Sequence, residues 1–279
     1  MNASGAHPLL QNLSSLDDDQ LDLAPVALAL SSYQTSTPYA FQHYLAYLGH
    51  LVSRAKHKHP SARAYTACER AEVLRSILVD REGYQGETEA SGHPDGANLL
   101  RVIDRRKGLS ISLGILYLHI ARHMRWPAFG LNFPGCFLIR LSGNHEDRII
   151  LDPSRAGIEV SAPDLRSLYK STHGCRVELH PRVYTPISNR DILLRLQTYI
   201  RQYALQNEDY PTALAAIEKM LLIAPSDFKL WREKGLLYMR LCKLDHAITA
   251  LEYYLSLAPS SPDRDVIAQV MDELHRDHP

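Results

Sequence analysis

A repeat with a spacing of 34 residues constrains the fold of this 279-residue chain more than any other sequence feature. Residues 213–217 (Ala-Leu-Ala-Ala-Ile) match residues 247–251 (Ala-Ile-Thr-Ala-Leu), and residues 223–225 (Ile-Ala-Pro) match residues 257–259 (Leu-Ala-Pro). Both matches have the same offset, so one supersecondary unit occurs twice. A unit of this length accommodates two antiparallel helices and their turn, which predicts stacked helix pairs at the C-terminal end.

The second copy carries the small and aromatic residues of a tetratricopeptide repeat: Trp231, Gly235, Tyr238, Ala247 and Pro259 stand in that repeat's phase. The side chains of Gly235 and Ala247 are small enough for two helices to approach closely, and the ring of Pro259 stops the second helix. We therefore expect helical repeats over residues 191–279, ending in a capping helix. The alternative is a plain helical bundle with an accidental match.

Stacked repeats enclose a concave groove, which makes Trp231 and Tyr238 candidate binding residues for a peptide. Two repeats make only a short groove, and it could equally be filled by the rest of the protein. Both readings stay open from the sequence.

The rest of the chain alternates helical and strand-like patterns, which predicts an α+β domain before the repeats. Residues 1–20 are polar and indicate a flexible N-terminal arm, residues 21–79 have helical periodicity, and residues 82–97 are rich in glycine and predict a long loop. A helix is expected from Ser110, with Ser110 as its cap. Strands are expected at residues 128–132, 137–141 and 148–151, the last two as an antiparallel hairpin. The predicted core covers residues 21–175, and residues 176–190 read as a linker.

Charge and cysteine content exclude several classes of function. Lys plus Arg and Asp plus Glu each number 31, so the chain has no net attraction for nucleic acid or for an anionic membrane surface. The four cysteines are widely spaced, which is typical of reduced thiols in a cytoplasmic protein. The N-terminal residues lack the pattern of a secretory signal, and no apolar run reaches the length of a membrane-spanning helix.

Three motifs together indicate a resemblance to a known family. They are residues 106–113 (Arg-Lys-Gly-Leu-Ser-Ile-Ser-Leu), residues 132–140 (Asn-Phe-Pro-Gly-Cys-Phe-Leu-Ile-Arg) and residues 151–157 (Leu-Asp-Pro-Ser-Arg-Ala-Gly). Together they resemble bacterial transglutaminase-like proteins of the SirB type, over about residues 20–265. Members of that family usually carry tetratricopeptide repeats after the core. The resemblance implies a mostly helical, papain-like core with a small antiparallel sheet.

The resemblance also implies three catalytic positions, which here read Ser110, Cys136 and Asp152. The nucleophile position is Ser110, 17 residues before Pro127. The base position is Cys136, where related sequences have histidine, and the acid position is Asp152. In the wider superfamily a helix N-terminus favours the thiolate of a cysteine, a histidine takes its proton and an aspartate orients the imidazole. A serine without a base is a poor nucleophile, so we expect a degenerate triad.

An atypical enzyme is the alternative. Cys136 could itself act as a nucleophile if His93 or His145 approached it. This reading predicts a cysteine-type acyltransferase or hydrolase centred on Cys136.

Metal and cofactor sites have little support in the sequence. His119 and His123 stand four apart on one helix face, but no third ligand is evident and no Glu follows the first histidine as in zinc proteases. Phosphate-binding glycine motifs are also lacking. We therefore expect no metal and no cofactor. The function predicted from these observations is a non-catalytic regulatory or interaction protein that binds a protein or peptide, with its oligomeric state open.

Overall fold

The computed structural model describes residues 8–33, 38–58, 65–87, 93–144, 147–174, 177–260 and 262–277. The chain divides into two compact units. The first contains Asp17–Ile192, and the second contains Leu193–Pro279 together with the short segment Pro8–Leu16.

Helices make up most of the first unit. They are α2 (Leu23–Ser32), α3 (Pro38–Lys58), α4 (Ala67–Arg75), α5 (Leu99–Arg105), α6 (Ser110–His123) and α7 (Ala162–His173). A π-helical turn, Ser76–Arg81, continues α4. Ser161 and Asp164 form a capping box at the start of α7.

Two small sheets complete the first unit. Strands β1 (Gln85–Gly86) and β2 (Lys107–Gly108) form a parallel pair. Strands β3 (Ala128–Leu131), β4 (Leu138–Ser142), β5 (Arg148–Asp152) and β6 (Ile158–Glu159) form an antiparallel sheet in chain order. The predicted hairpin is β4–β5, with Ile139 opposite Leu151. These observations confirm the predicted α+β fold with a small antiparallel sheet.

Helix α6 is the buried centre of the first unit, because its apolar residues Ile115, Leu116, Leu118 and Ile120 are fully buried. Phe137 lies between this helix and the sheet. A Cβ atom on Gly114 of α6, or on Gly130 of β3, would come within 2.5 Å of the Phe137 ring. The two glycines therefore make room for one aromatic side chain that fixes the helix against the sheet.

The segment expected to be a linker runs along the edge of the sheet. A 3-10 turn occupies Pro181–Tyr184, and Pro186 bridges Leu131 of β3. The amide of Ile187 donates to the carbonyl of Gly130, 3.0 Å away. The exposed edge of β3 needs backbone partners, and a proline can lie there because it needs only to accept.

The helices of the second unit are α1 (Pro8–Gln11), the end of α8 (Asn189–Gln206), α9 (Tyr210–Ile223), α10 (Phe228–Arg240), α11 (Leu244–Leu257) and α12 (Pro262–Asp277). Helices α10 and α11 form the pair predicted from the second copy of the repeat. A Cβ atom on Gly235 would lie 2.5 Å from the side chain of Leu251, which shows how closely the two helices approach.

Residues 8–16 differ from the flexible arm expected for residues 1–20, and residues 1–7 of that arm lie outside the described residues. Residues 8–16 contain α1 and a 3-10 turn, Leu13–Ser15, and the side chains of Leu10 and Leu13 are buried. The 3-10 turn contacts α9 within the second unit. The polar composition of this segment led to the prediction of a flexible arm. Its two leucines are spaced three residues apart, however, which is the spacing of one helix face. In the part of the chain that the structure describes, no helix is both long and apolar enough to cross a bilayer.

Candidate functional site

Ser110, the nucleophile position, is the first residue of α6. It is not the helix cap, as the sequence had suggested, because the cap residue is Leu109 and has no capping side-chain hydrogen bond. The Ser110 hydroxyl oxygen instead accepts a hydrogen bond from the backbone N–H of Phe137 at 2.9 Å. Ser110 is buried, so this bond ties the start of α6 to the strand that follows Cys136.

Cys136, the base position, follows a tight turn and precedes β4. Gly135 has φ of +80°, a left-handed conformation that residues with a side chain rarely adopt. Cys136 is half-buried and its side chain packs against the apolar cluster that contains Leu131 and Phe133.

Asp152, the acid position, ends β5 and is only 4% exposed. One of its carboxylate oxygens accepts from the backbone N–H of Ser154 at 2.9 Å and from the Ser154 hydroxyl at 2.6 Å. Pro153–Arg155 form a 3-10 turn after the strand. The carboxylate therefore holds the turn at the end of β5.

Ser110 and Cys136 line one cavity of about 270 Å³ at the N-terminus of α6. Its remaining lining residues are Gly86, Glu87, Gly135, Ser154 and Arg155. Glu87 is paired with Arg105, with 2.6 Å between Oε1 and Nη2. Sequence reasoning missed Glu87, because the parallel pairing of β1 with β2 that brings it here leaves no signal in the sequence. Arg155 could have been predicted as a residue of this site, because it lies in the third motif of the family resemblance, residues 151–157.

Of the two histidines considered as alternative bases, His93 is described by the structure and does not form a dyad with Cys136. The Nδ1 atom of His93 accepts from the backbone N–H of Asp95 at 3.2 Å, and the His93 side chain is 60% exposed. His93 is not among the residues that line the cavity. His145 lies outside the described residues.

The two candidate binding residues of the repeat region lie against the core of the second unit. Tyr238 is buried, and its hydroxyl donates to Glu218 at 3.1 Å. Burial and the neighbouring Glu218 carboxylate raise the pKa of Tyr238 to about 12. The indole N–H of Trp231 donates to the carbonyl of Pro225 at 2.7 Å, and the ring stacks on Tyr253. Both polar groups are used inside the unit, so a binding role for these two residues stays a prediction.

An apolar cavity of about 480 Å³ lies on the second unit, beside the ends of α8 and α10. Leu205 and Leu236 line it and are 38% and 40% exposed. Arg240 lies at the same cavity. Neither leucine was singled out from the sequence, since a single exposed leucine in an amphipathic helix carries no distinguishing pattern.

The histidine pair of α6 has a third potential ligand, contrary to the sequence expectation. Asp22, just before α2, lies near His119 and His123, and one ligand atom from each of the three residues lies within 4.8 Å of the others. Almost a hundred residues separate Asp22 from the pair in the sequence, so no spacing rule could have found it.

Two family models match consecutive parts of the chain. Residues 42–198 match the model of the transglutaminase-like superfamily, and residues 200–272 match a tetratricopeptide repeat model. A UPF0162 protein of Vibrio cholerae is 27% identical over 267 residues, covering 95% of this chain and 97% of the relative. Protein SirB1 of Salmonella typhimurium is 23% identical over 268 residues, covering 95% and 98%.

A UPF0162 protein of Xylella fastidiosa is 26% identical over 273 residues, covering 93% of this chain and 92% of the relative. No solved structure matches the chain. The chain belongs to the transglutaminase-like superfamily and carries tetratricopeptide repeats C-terminal to that domain.

Proposed function

We propose that this chain is a non-catalytic transglutaminase-like protein of the bacterial cytoplasm that acts by binding another protein. One observation carries the proposal: among the residues that the structure describes, no histidine lines the cavity that holds Ser110 and Cys136. Acyl transfer through a serine or cysteine needs a base that removes the proton of the nucleophile. The oxygen of Ser110 is also engaged with the N–H of Phe137.

The carboxylate of Asp152 supports the same reading. In a working triad this residue would orient an imidazole. Here it accepts two hydrogen bonds from Ser154, so its position has a structural use that does not depend on catalysis.

The repeat unit supplies the binding surface in this proposal. Tetratricopeptide repeats bind peptides in their concave surface. The cavity beside Leu205 and Leu236 offers exposed apolar side chains, and the guanidinium of Arg240 borders it. A matching partner is a peptide with an apolar anchor next to an acidic residue, because the first would bury these leucines and the second would pair with Arg240.

A cysteine-type acyltransferase or hydrolase centred on Cys136 is the second candidate. The observation in its favour is Arg155, which lines the same cavity as Cys136. A cationic group beside a thiol favours the reactive thiolate.

Thiol reactivity separates the two functions. Each cysteine of the native protein is labelled with iodoacetamide between pH 6 and pH 10 and measured by mass spectrometry, with exposed Cys242 as the internal control. The proposal predicts that Cys136 reacts no faster than Cys242. Fast labelling of Cys136, with a midpoint well below the free-thiol value of about 8.5, would favour the enzyme and contradict the proposal.

Binding is tested separately by photocrosslinking in cells. A benzophenone amino acid replaces Leu236 at the apolar cavity, and the control carries it at Ile158, which is 49% exposed in the other unit. We expect a discrete crosslinked protein from position 236 that is lost when Arg240→Glu is added. A crosslinking pattern that is the same at both positions, or that ignores the Arg240 charge, argues against this surface.

A further inference from the structure

His119 is a buried histidine whose polar atoms are unsatisfied. Its side chain is 4% exposed, and neither ring nitrogen has a hydrogen-bond partner in the described residues. Burying a polar group without a partner is unfavourable, and such groups in native proteins usually face an ordered water or an ion. The Nδ1 atom lies 3.8 Å from the Asp22 carboxylate, which is too far for a hydrogen bond.

His123 is oriented with one ring nitrogen left to bind. It stands one helical turn after His119, and the two rings lie 4.3 Å apart. Its Nδ1 atom is 2.9 Å from the backbone carbonyl of His119. A carbonyl oxygen only accepts, so Nδ1 carries the proton and Nε2 presents a lone pair. A hydrogen bond of this kind, from the other ring nitrogen to a backbone carbonyl, also fixes the ring of metal-binding histidines.

Asp22 supplies a carboxylate that the local structure does not use. It stands at the N-cap position of α2 but makes no side-chain capping hydrogen bond there. Its side chain is 54% exposed and borders a solvent-open cavity of about 800 Å³, which both histidines also line. An ion can therefore reach the three side chains from solvent.

The charges around the cavity do not repel a cation. Asp18, Asp19 and Asp22 face Arg122 and Arg125, so the carboxylates outnumber the guanidinium groups by one. Arg122 is also engaged, because it donates to the Asn189 side chain at 2.7 Å.

We propose that Asp22, His119 and His123 form a binding site for a divalent transition-metal ion such as Zn²⁺. Two imidazole nitrogens and one carboxylate oxygen are a donor set that Zn²⁺ and its first-row neighbours favour, whereas Mg²⁺ and Ca²⁺ favour oxygen alone. Ligands of a tetrahedral zinc ion lie about 3.4 Å apart. The three ligand atoms lie within 4.8 Å of one another. Small rotations of the exposed Asp22 and His123 side chains would shorten these distances to about 3.4 Å. Three protein ligands leave a coordination position towards the cavity.

Metal titration of the full-length protein tests the site. The protein is treated with a chelator, and ZnCl₂ is titrated against a chromophoric competitor. We expect one Zn²⁺ ion per chain and no competition from millimolar MgCl₂. His123→Gln and Asp22→Asn alter exposed side chains, so each variant should fold and should bind Zn²⁺ more weakly by at least about tenfold.

The matched control is His246→Gln, an exposed histidine in the repeat unit that should leave the affinity unchanged. Cobalt absorption gives a second measurement, because tetrahedral Co²⁺ bands should appear in the wild-type protein and vanish in both variants. Absence of stoichiometric binding, or equal Zn²⁺ affinity in the wild type, H123Q and D22N, would falsify the site and leave His119 as a histidine satisfied by water.

Discussion

The carboxylate of Asp152 has a structural use that does not depend on catalysis. In a triad it would hold a histidine, but here its carboxylate oxygen binds the N–H and hydroxyl of Ser154. That contact fixes the turn after β5, and the same turn places Ser154 and Arg155 at the cavity beside Cys136. An aspartate at a triad position is therefore weak support for catalysis in this fold.

The structural role of Asp152 predicts different effects for two substitutions. Asp152→Ala removes the acceptor of both bonds, and we expect it to lower the free energy of unfolding by about 1.5–3 kcal/mol, the range for bonds to charged groups. Asp152→Asn keeps a neutral acceptor for the Ser154 N–H and should cost about 1 kcal/mol. Urea unfolding followed by circular dichroism measures both. If neither variant changes stability, the turn does not depend on this side chain.

At the scale of single elements, the repeat pattern predicts a close approach of α10 to α11. Gly235 and Leu251 are in phase with the repeat, and the structure leaves no space for a methyl group between them. The small residue in the repeat signature therefore marks the place where the two helices approach closely.

Alanine at Gly235 should therefore destabilise the repeat unit. The added Cβ atom would overlap Leu251, and overpacking of this kind costs about 1–3 kcal/mol. Gly49→Ala is the matched control, because Gly49 lies on α3 with nothing within 4 Å of the new methyl group. It should instead gain up to about 1 kcal/mol from helix propensity. Thermal denaturation of the two variants should shift the melting temperature in opposite directions, and a shift in the same direction would contradict the close approach.

Elements with local signals could be predicted, and those set by distant pairing could not. The repeats follow from a period in the sequence, and the hairpin β4–β5 follows from two apolar runs around a polar turn. The parallel pair β1–β2 is only two residues long on each strand, and nothing in its composition marks it. For the same reason Glu87 and Asp22 were not found as members of their sites, since each is brought there by tertiary contacts alone.

On the scale of the whole molecule, the N-terminal segment Pro8–Leu16 belongs with the repeat unit although the entire core separates them in the sequence. The 3-10 turn at Leu13–Ser15 contacts α9 and buries Leu13. Residues 8–16 and the repeats thus belong to one unit, so its stability depends on residues that a truncated repeat fragment would lack.

This arrangement predicts that Leu13→Ala loosens the repeats. Truncation of a buried leucine costs about 2–5 kcal/mol, and the loss should appear as faster hydrogen exchange of the α9 amides. Leu9→Ala is the control, because Leu9 is 38% exposed and its truncation should cost within about 0.5 kcal/mol. Unchanged exchange in α9 of the Leu13 variant would mean that the segment is not part of the repeat unit.

The most direct test places a cysteine at the predicted nucleophile position and a histidine at the predicted base position. We compare the variant Ser110→Cys with Cys136→His against Ser110→Cys with Cys136→Ala, and follow iodoacetamide labelling of residue 110 with pH. Both carry the thiol at the start of α6, so the helix acts equally on each and the difference isolates the histidine. If positions 110, 136 and 152 keep the geometry of a triad without its chemistry, the histidine variant should label faster at pH 7, with a midpoint below the free-thiol value of about 8.5. Equal rates and midpoints in the two variants would contradict that claim.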